Sequence, residues 1–171
     1  MSMLPASLPS VFLAHGSPML ALDGGAWGQA VAAFGRELPP LRAILVCSAH
    51  WEAAGPFRLS SAERPGVLHD FGGFPEALYA LDYPAPGAPD LAREAADLLR
   101  AAGLEAVLDA QRPLDHGAWV PLRYLAPEAD VPTSEHLDPL FVALGASQAA
   151  PETLYDGWQL GSLSLKSYAF R

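Results

Sequence analysis

The stretch ILVCSAHW, residues 44–51, places a histidine and a tryptophan directly after a run of apolar and small residues. A continuous run of this kind, here residues 43–49, is typical of a β-strand that is covered on both faces. An imidazole ring gains nothing from an apolar core unless its nitrogens are hydrogen-bonded. We therefore predict a strand that leaves the core at His50.

Residues on either side of this stretch predict strands that alternate with helices. Residues 11–14 form a predicted first strand, and later strands are predicted at 57–60, 104–108 and 161–166. Apolar residues at helical spacing predict helices at 25–38, 76–80, 90–102, within 113–127 and around 137–144. This alternation predicts a layered α/β fold.

Length, composition and charge limit the classes of protein to which this chain can belong. The 171 residues fit one domain, predicted to cover residues 1–171, and 51% hydrophobic residues can fill a sizeable core. A net charge of −9 disfavours nucleic acid as a partner. The single cysteine, Cys47, can form no internal disulfide, which favours a cytoplasmic protein. The first residues lack the basic start of a signal peptide, and no apolar run is long enough to span a membrane.

Two of the five histidines follow predicted strands. His15 comes after the first strand and His50 after the second. If these strands are parallel, both side chains emerge at one carboxyl edge, where open α/β sheets bind ligands. Neutral imidazole is a common ligand for zinc and iron, so a metal site is one interpretation. The alternative is a pair of hydrogen-bonded residues at the rim of the sheet.

The other three histidines lie in loops or at helix starts. His69 lies in HDFGGFP, where two phenylalanines either line a pocket or fix the loop. His116 follows Asp115, a carboxylate that either tunes the ring for proton transfer or caps a helix. His136 lies at the start of a predicted helix beside two spare carboxylates, and its plainest interpretation is a solvated residue of the helix's first turn.

Six segments in order give the chain a family resemblance. They are FLAHGSPM, VCSAHW, VLHDFGGFPEALYALDYPAPGAP, LDHGAWVPLRYLAPEADVP, TSEHLDPLFVALGA and GSLSL. Together they resemble the class III extradiol ring-cleavage dioxygenases of the 4,5-DOPA dioxygenase (LigB-like) type. The resemblance implies an α-β-α fold around a central mixed, largely parallel sheet. It also implies a cleft that opens the ring of a catechol such as DOPA with O2.

The resemblance also implies a mononuclear metal site. Fe(II) is the metal expected in the active enzyme, and Zn(II) is often found in such sites after isolation. His15, His50 and His136 match the positions of metal ligands. His116 matches a histidine near the substrate that transfers protons, and His69 belongs to the fingerprint loop and is a second catalytic candidate.

The sequence departs from the family between Pro132 and Thr133. There the family carries a large block with further strands and a further histidine, so we expect an incomplete version of the fold. Either the chain carries an internal deletion, or the sequence omits a stretch of the natural protein. Removing central strands would leave polar strand edges unpaired and would take away one wall of the cleft.

Three functions are compatible with these residues. The first is an extradiol dioxygenase, and the second is a metal-binding remnant of that family without catalysis. The third is a zinc hydrolase that activates water with the same histidines. It ranks last because the sequence contains no hydrolase motif such as H-E-x-x-H.

Overall fold

The computed structural model describes residues 8–127, 150–160 and 162–170. Its helices are α1 (Gly25–Glu37), α2 (Glu76–Tyr79), α3 (Pro89–Ala101) and α4 (His116–Leu125), and a 3₁₀ helix spans Pro18–Ala21. Its strands are β1 (Ser10–Phe12), β2 (Phe57–Ser60), β3 (Ala106–Asp109), β4 (Glu152–Tyr155), β5 (Trp158–Gln159), β6 (Leu163–Ser164) and β7 (Ser167–Phe170).

The described strands pair in three small sheets. Strands β2 and β3 are parallel, with Phe57 opposite Ala106. Strand β7 lies between β1 and β4 and is antiparallel to both, and β5 and β6 form a separate antiparallel pair. The prediction of a mixed α/β protein with parallel strand pairing is confirmed.

The predicted strand at residues 43–49 is wrong in its secondary structure. Among these residues the structure gives only Ile44 a β-bridge, and the rest of the segment belongs to no named strand. An apolar run predicts a strand that is covered on both faces, but Leu45 is 61% exposed here, and a strand also needs a ladder of hydrogen bonds to a neighbour. The expected parallel pairing of this segment with the first strand is also not seen, because β1 pairs with β7 in the described residues.

Packing between α1 and α4 forms the main core. The core cluster includes the buried side chains of Trp27 and Val31 from α1 and of Trp119 and Leu122 from α4. Glycines let the two helices approach: a Cβ atom at Gly28 would lie 2.7 Å from Cε1 of Tyr124, and one at Gly35 would collide with the carbonyl oxygen of Leu125. Burial of each large apolar side chain contributes about 1.5–3 kcal/mol. The interface therefore fixes the position of α4, which begins at His116.

Three predicted features lie outside the described residues. They are His136, the helix around residues 137–144 and the junction between Pro132 and Thr133. Among the helices that the structure does describe, none has both the length and the apolar character needed to cross a bilayer.

Candidate metal centre

Three histidines from distant parts of the chain meet at one point. One ligand atom from each of His15, His50 and His116 lies within 4.8 Å of the others. The Nε2 atoms of His15 and His50 are 3.0 Å apart, and the ring centroids of His50 and His116 are 4.0 Å apart. The structure thus brings together His15 and His50, the two histidines predicted to meet at one sheet edge. The strand pairing on which that prediction rested is different, because β1 pairs with β7.

The C-terminal strand β7 helps to place His15. This histidine follows β1, and β7 is the strand paired with β1. The hydroxyl of Ser167 in β7 accepts a hydrogen bond of 3.2 Å from the backbone N–H of Ala14. Two residues beyond His15, the backbone N–H of Ser17 donates to Oε1 of Gln159 over 2.8 Å. Residues near the end of the chain therefore hold the loop that carries the first histidine.

His116 is held by a carboxylate from a neighbouring loop. Backbone hydrogen bonds between Leu114 and residues 66–68 bring the loop containing Asp70 beside the start of α4. One oxygen of Asp70 then accepts from both the backbone N–H and the Nδ1–H of His116, each over 2.9 Å. When Nδ1 carries the proton, Nε2 has the free lone pair. A histidine oriented by a carboxylate in this way is typical of metal sites and of acid–base sites.

Electrostatics favours the neutral form of two of the clustered imidazoles, those of His15 and His50. Burial, followed by the charges of His116 and His50, lowers the pKa of His15 to about 4. Burial and the charge of His116 also lower the pKa of His50. Partial burial of Asp70 acts to raise its pKa, but the hydrogen bonds from His116 outweigh this and hold the pKa below its usual value. The rings of His15 and His50 therefore offer lone pairs at neutral pH, while Asp70 stays ionised.

These residues fit a divalent ion of the kind that the resemblance implies. Neutral imidazole binds both zinc and iron. Zn–N bonds are about 2.0–2.1 Å long, so two nitrogens on one ion lie at most about 4.2 Å apart. The separation of 3.0 Å between the Nε2 atoms of His15 and His50 satisfies this limit.

His69 does not join the three clustered histidines. Its Nε2–H donates to the carbonyl oxygen of Leu81 over 3.1 Å. Its ring packs against Phe71, Tyr79 and Trp119 at centroid distances of 5.6–5.9 Å. Phe71 also contacts the ring of His116, with centroids 5.6 Å apart. We call Phe71, Phe74, Tyr79 and Trp119 the aromatic wall; its member Phe71 contacts both His69 and His116.

Two residues that support the site were missed by the sequence analysis. Asp70 lies next to His69, but its partner His116 is 46 residues away. Ser48 precedes His50 by two residues, but its partner Asp115 is 67 residues away. Asp70 was visible in the HDFGG motif as a carboxylate beside a histidine, whereas a serine in an apolar run gives no such signal.

The fold and the site together define an α/β protein with a cluster of three histidines that could hold a metal ion, and comparison with known proteins identifies its family. Residues 9–136 match the family described as the catalytic LigB subunit of aromatic ring-opening dioxygenase. The chain belongs to this family, so the predicted resemblance is confirmed.

Relatives support the same family assignment, and a solved structure supports the fold. The 4,5-DOPA dioxygenase extradiol of Escherichia coli (strain K12) is 43% identical over 126 residues, which cover 73% of this chain and 45% of that protein. The protein of the same name from Beta vulgaris is 42% identical over 136 residues, covering 74% and 50%. The crystal structure of an uncharacterized E. coli K12 protein superimposes with a TM-score of 0.72 at 21% identity, covering 96% of this chain and 100% of that one.

The chain spans about half the length of the curated relatives that it matches. This partial coverage agrees with the prediction of an incomplete version of the family fold.

Proposed function

We propose that this protein, as a single catalytic domain over residues 1–171, is a metal-dependent extradiol dioxygenase. Its substrates would be O2 and a catechol of the DOPA type, whose ring it opens. The observation that carries this proposal is the convergence of His15, His50 and His116 in a chain of the LigB family. The names of its relatives, which are 4,5-DOPA dioxygenases, support the substrate class.

His15 and His50 are the proposed metal ligands, with His136 as the third ligand by resemblance to the family. Fe(II) is the proposed working metal, and Zn(II) is the metal expected to bind when iron is lost. The bound ion would act as a Lewis acid that lowers the pKa of the catechol hydroxyls and brings the diol and O2 together. The low pKa of His15 supports this role, since a ligand nitrogen must be unprotonated.

His116 is the proposed proton-transfer residue. Asp70 accepts from its Nδ1–H, which leaves Nε2 to take a proton from a substrate hydroxyl. The ionised carboxylate of Asp70 would stabilise the imidazolium that forms. A ring beside His50 and His15 is close enough to reach a diol held at those two residues.

The aromatic wall is the proposed binding surface for the substrate ring. Phe71 lies edge-on to His116, and Trp119 is fully buried behind it. Aromatic side chains of this kind favour a planar ring and exclude water from it. His69, which contacts Phe71 but is not one of the three clustered histidines, stays a predicted catalytic residue whose contribution we expect to be smaller than that of His116.

Oxygen uptake is the direct test of this proposal. The protein is loaded anaerobically with Fe(II) and mixed with DOPA or catechol, and O2 consumption is followed together with the absorbance of the ring-opened product. Uptake that disappears in His50→Ala supports the proposal. The Zn(II)-loaded protein serves as a matched control, because zinc has no redox chemistry. Normal uptake and normal metal content in both His15→Ala and His50→Ala would refute it.

A metal-binding remnant without catalysis is the second candidate. The half-length match to the curated relatives favours it, because a missing wall of the cleft would leave the substrate unplaced. It predicts stoichiometric metal bound through His15 and His50 without O2 uptake for any catechol. The same oxygen experiment therefore separates the two candidates.

A further inference from the structure

Two buried polar side chains lie directly behind His50. Ser48 is 7% exposed and Asp115 is 0% exposed. The Ser48 hydroxyl donates a hydrogen bond to Oδ1 of Asp115. This bond joins the residues before the His50 turn to the residue that precedes α4.

Each member of this pair also holds the backbone next to a histidine. The Ser48 hydroxyl accepts a hydrogen bond of 3.2 Å from the backbone N–H of His50. Oδ1 of Asp115 accepts from the backbone N–H of Ala118 over 3.2 Å and so caps α4, whose first residue is His116. One continuous set of hydrogen bonds therefore ties His50 to the helix that carries His116.

Gly117 lets this pair and the ring of His50 lie close to the start of α4. A Cβ atom at Gly117 would lie 2.7 Å from Cδ2 of His50 and would collide with the Ser48 hydroxyl. The second oxygen of Asp115 has no hydrogen-bond partner among the described residues, and its ion pair with Arg112 spans 3.6 Å. Burying a carboxylate whose second oxygen lacks a hydrogen bond costs free energy. A helix cap does not by itself require this burial, because capping side chains also work at the protein surface.

We propose that Ser48 and Asp115 form a latch that positions His50 relative to His116, and that metal affinity depends on this latch. Both are positioning residues, since they act through the backbone of His50 and the start of α4. The inference rests on the proposed function, in which His50 is a metal ligand. Residues behind metal ligands typically change metal affinity by about 10–100-fold when they are replaced.

Zinc affinity, measured by competition with a chromophoric chelator, is the first test. Ser48→Ala and Asp115→Ala are expected to weaken Zn(II) binding about 10–100-fold. Asp115→Asn keeps an acceptor oxygen for Ser48 and Ala118, so it should recover part of the loss. Gly117→Ala should weaken binding because the added methyl group displaces the His50 ring. The matched control is Ser60→Ala, because Ser60 is equally buried and its hydroxyl donates to a backbone carbonyl without touching a histidine.

Two further measurements separate positioning from general stability. The visible spectrum of the Co(II)-loaded protein should change in Ser48→Ala and stay unchanged in Ser60→Ala, because only the first alters the ligand arrangement. In metal-free protein, hydrogen exchange of the His50 amide should accelerate in Ser48→Ala and not in Ser60→Ala.

The outcomes distinguish the latch from the proposed function. Wild-type protein that binds no divalent ion would refute the metal site. In that case the hydrogen exchange of the His50 amide in Ser48→Ala and Ser60→Ala would show whether Ser48 positions His50. Wild-type binding with unchanged affinity and spectrum in Ser48→Ala and Gly117→Ala would overturn the latch and leave the metal site standing. Equal losses in Ser48→Ala and Ser60→Ala would also overturn it.

Discussion

His116 and His69 occupy adjoining regions, and each donates a ring hydrogen bond, yet the two environments prepare them for different roles. His116 donates to the ionised Asp70 and lies against two other imidazoles. His69 donates to a backbone carbonyl and lies among aromatic rings. A carboxylate partner strengthens the basicity of the opposite ring nitrogen, whereas a neutral carbonyl mainly fixes orientation.

This difference shows that one loop of the family fingerprint contributes both to the histidine cluster and to the aromatic wall. The loop of residues 67–74 supplies Asp70 to the histidine cluster and Phe71 to the aromatic wall. His69 packs against the aromatic wall and holds the loop through its hydrogen bond to Leu81. Chemistry is therefore expected to depend most on the cluster, and loop geometry most on His69.

The largest expected effect follows from removing a ligand of the cluster. His15→Ala and His50→Ala should each lower metal affinity by more than about 100-fold, because losing a ligand costs more than losing a residue behind it. Metal content after dialysis, read by elemental analysis, measures this directly. His69→Ala is the matched histidine control and should keep its metal. If His69→Ala lost metal as fully as His15→Ala, the contrast between the two regions would fail.

The second prediction separates proton transfer by His116 from metal binding by the histidine cluster. His116→Ala should keep the metal and lower oxygen uptake by about 10²–10⁴-fold, the usual contribution of a general acid or base. Metal content and steady-state uptake are measured on the same sample. Loss of metal in this variant would instead make His116 a ligand, which the spacing of the three ligand atoms also permits.

The sequence predicts the parts of this molecule that depend on local pattern. The strand at Phe57–Ser60 and the helix that begins at Gly25 agree with the apolar spacing. Residues 43–49 were predicted wrongly because continuous apolar character does not say which neighbour covers the segment or supplies its hydrogen bonds, and Leu45 is exposed in the structure.

In the candidate site, too, the sequence predicts what depends on local pattern and misses what depends on tertiary packing. His15 and His50 stand out because each ends an apolar run, and this pattern survives even though the expected strand pairing does not. Asp70 and Ser48 could not be assigned, because each acts through a partner brought close only by tertiary packing. Hydrogen bonds between residues 46 or 67 positions apart form only in the folded chain and leave no periodic pattern in the sequence.

A smaller effect is expected when the charge behind His116 is removed. Asp70→Asn keeps an oxygen that accepts from His116 but loses the negative charge that stabilises the imidazolium. We expect kcat/KM to fall about 10–100-fold, with metal content unchanged. Asp90→Asn, at an exposed carboxylate in the first turn of α3, is the matched control and should retain full activity. An Asp70→Asn variant with wild-type kinetics would show that this carboxylate only fixes the loop.

The smallest effect on chemistry is expected at His69. His69→Ala removes the hydrogen bond to Leu81 and opens a gap beside Trp119, so the free energy of unfolding should fall by about 1–3 kcal/mol. Oxygen uptake should fall about tenfold or less, because the loop that carries Asp70 loosens without losing a group that contacts the substrate. Urea unfolding and oxygen uptake on one preparation give both numbers. A loss of uptake equal to that of His116→Ala, with little change in stability, would mean that His69 takes part in proton transfer and that Phe71 does not separate it from the reaction.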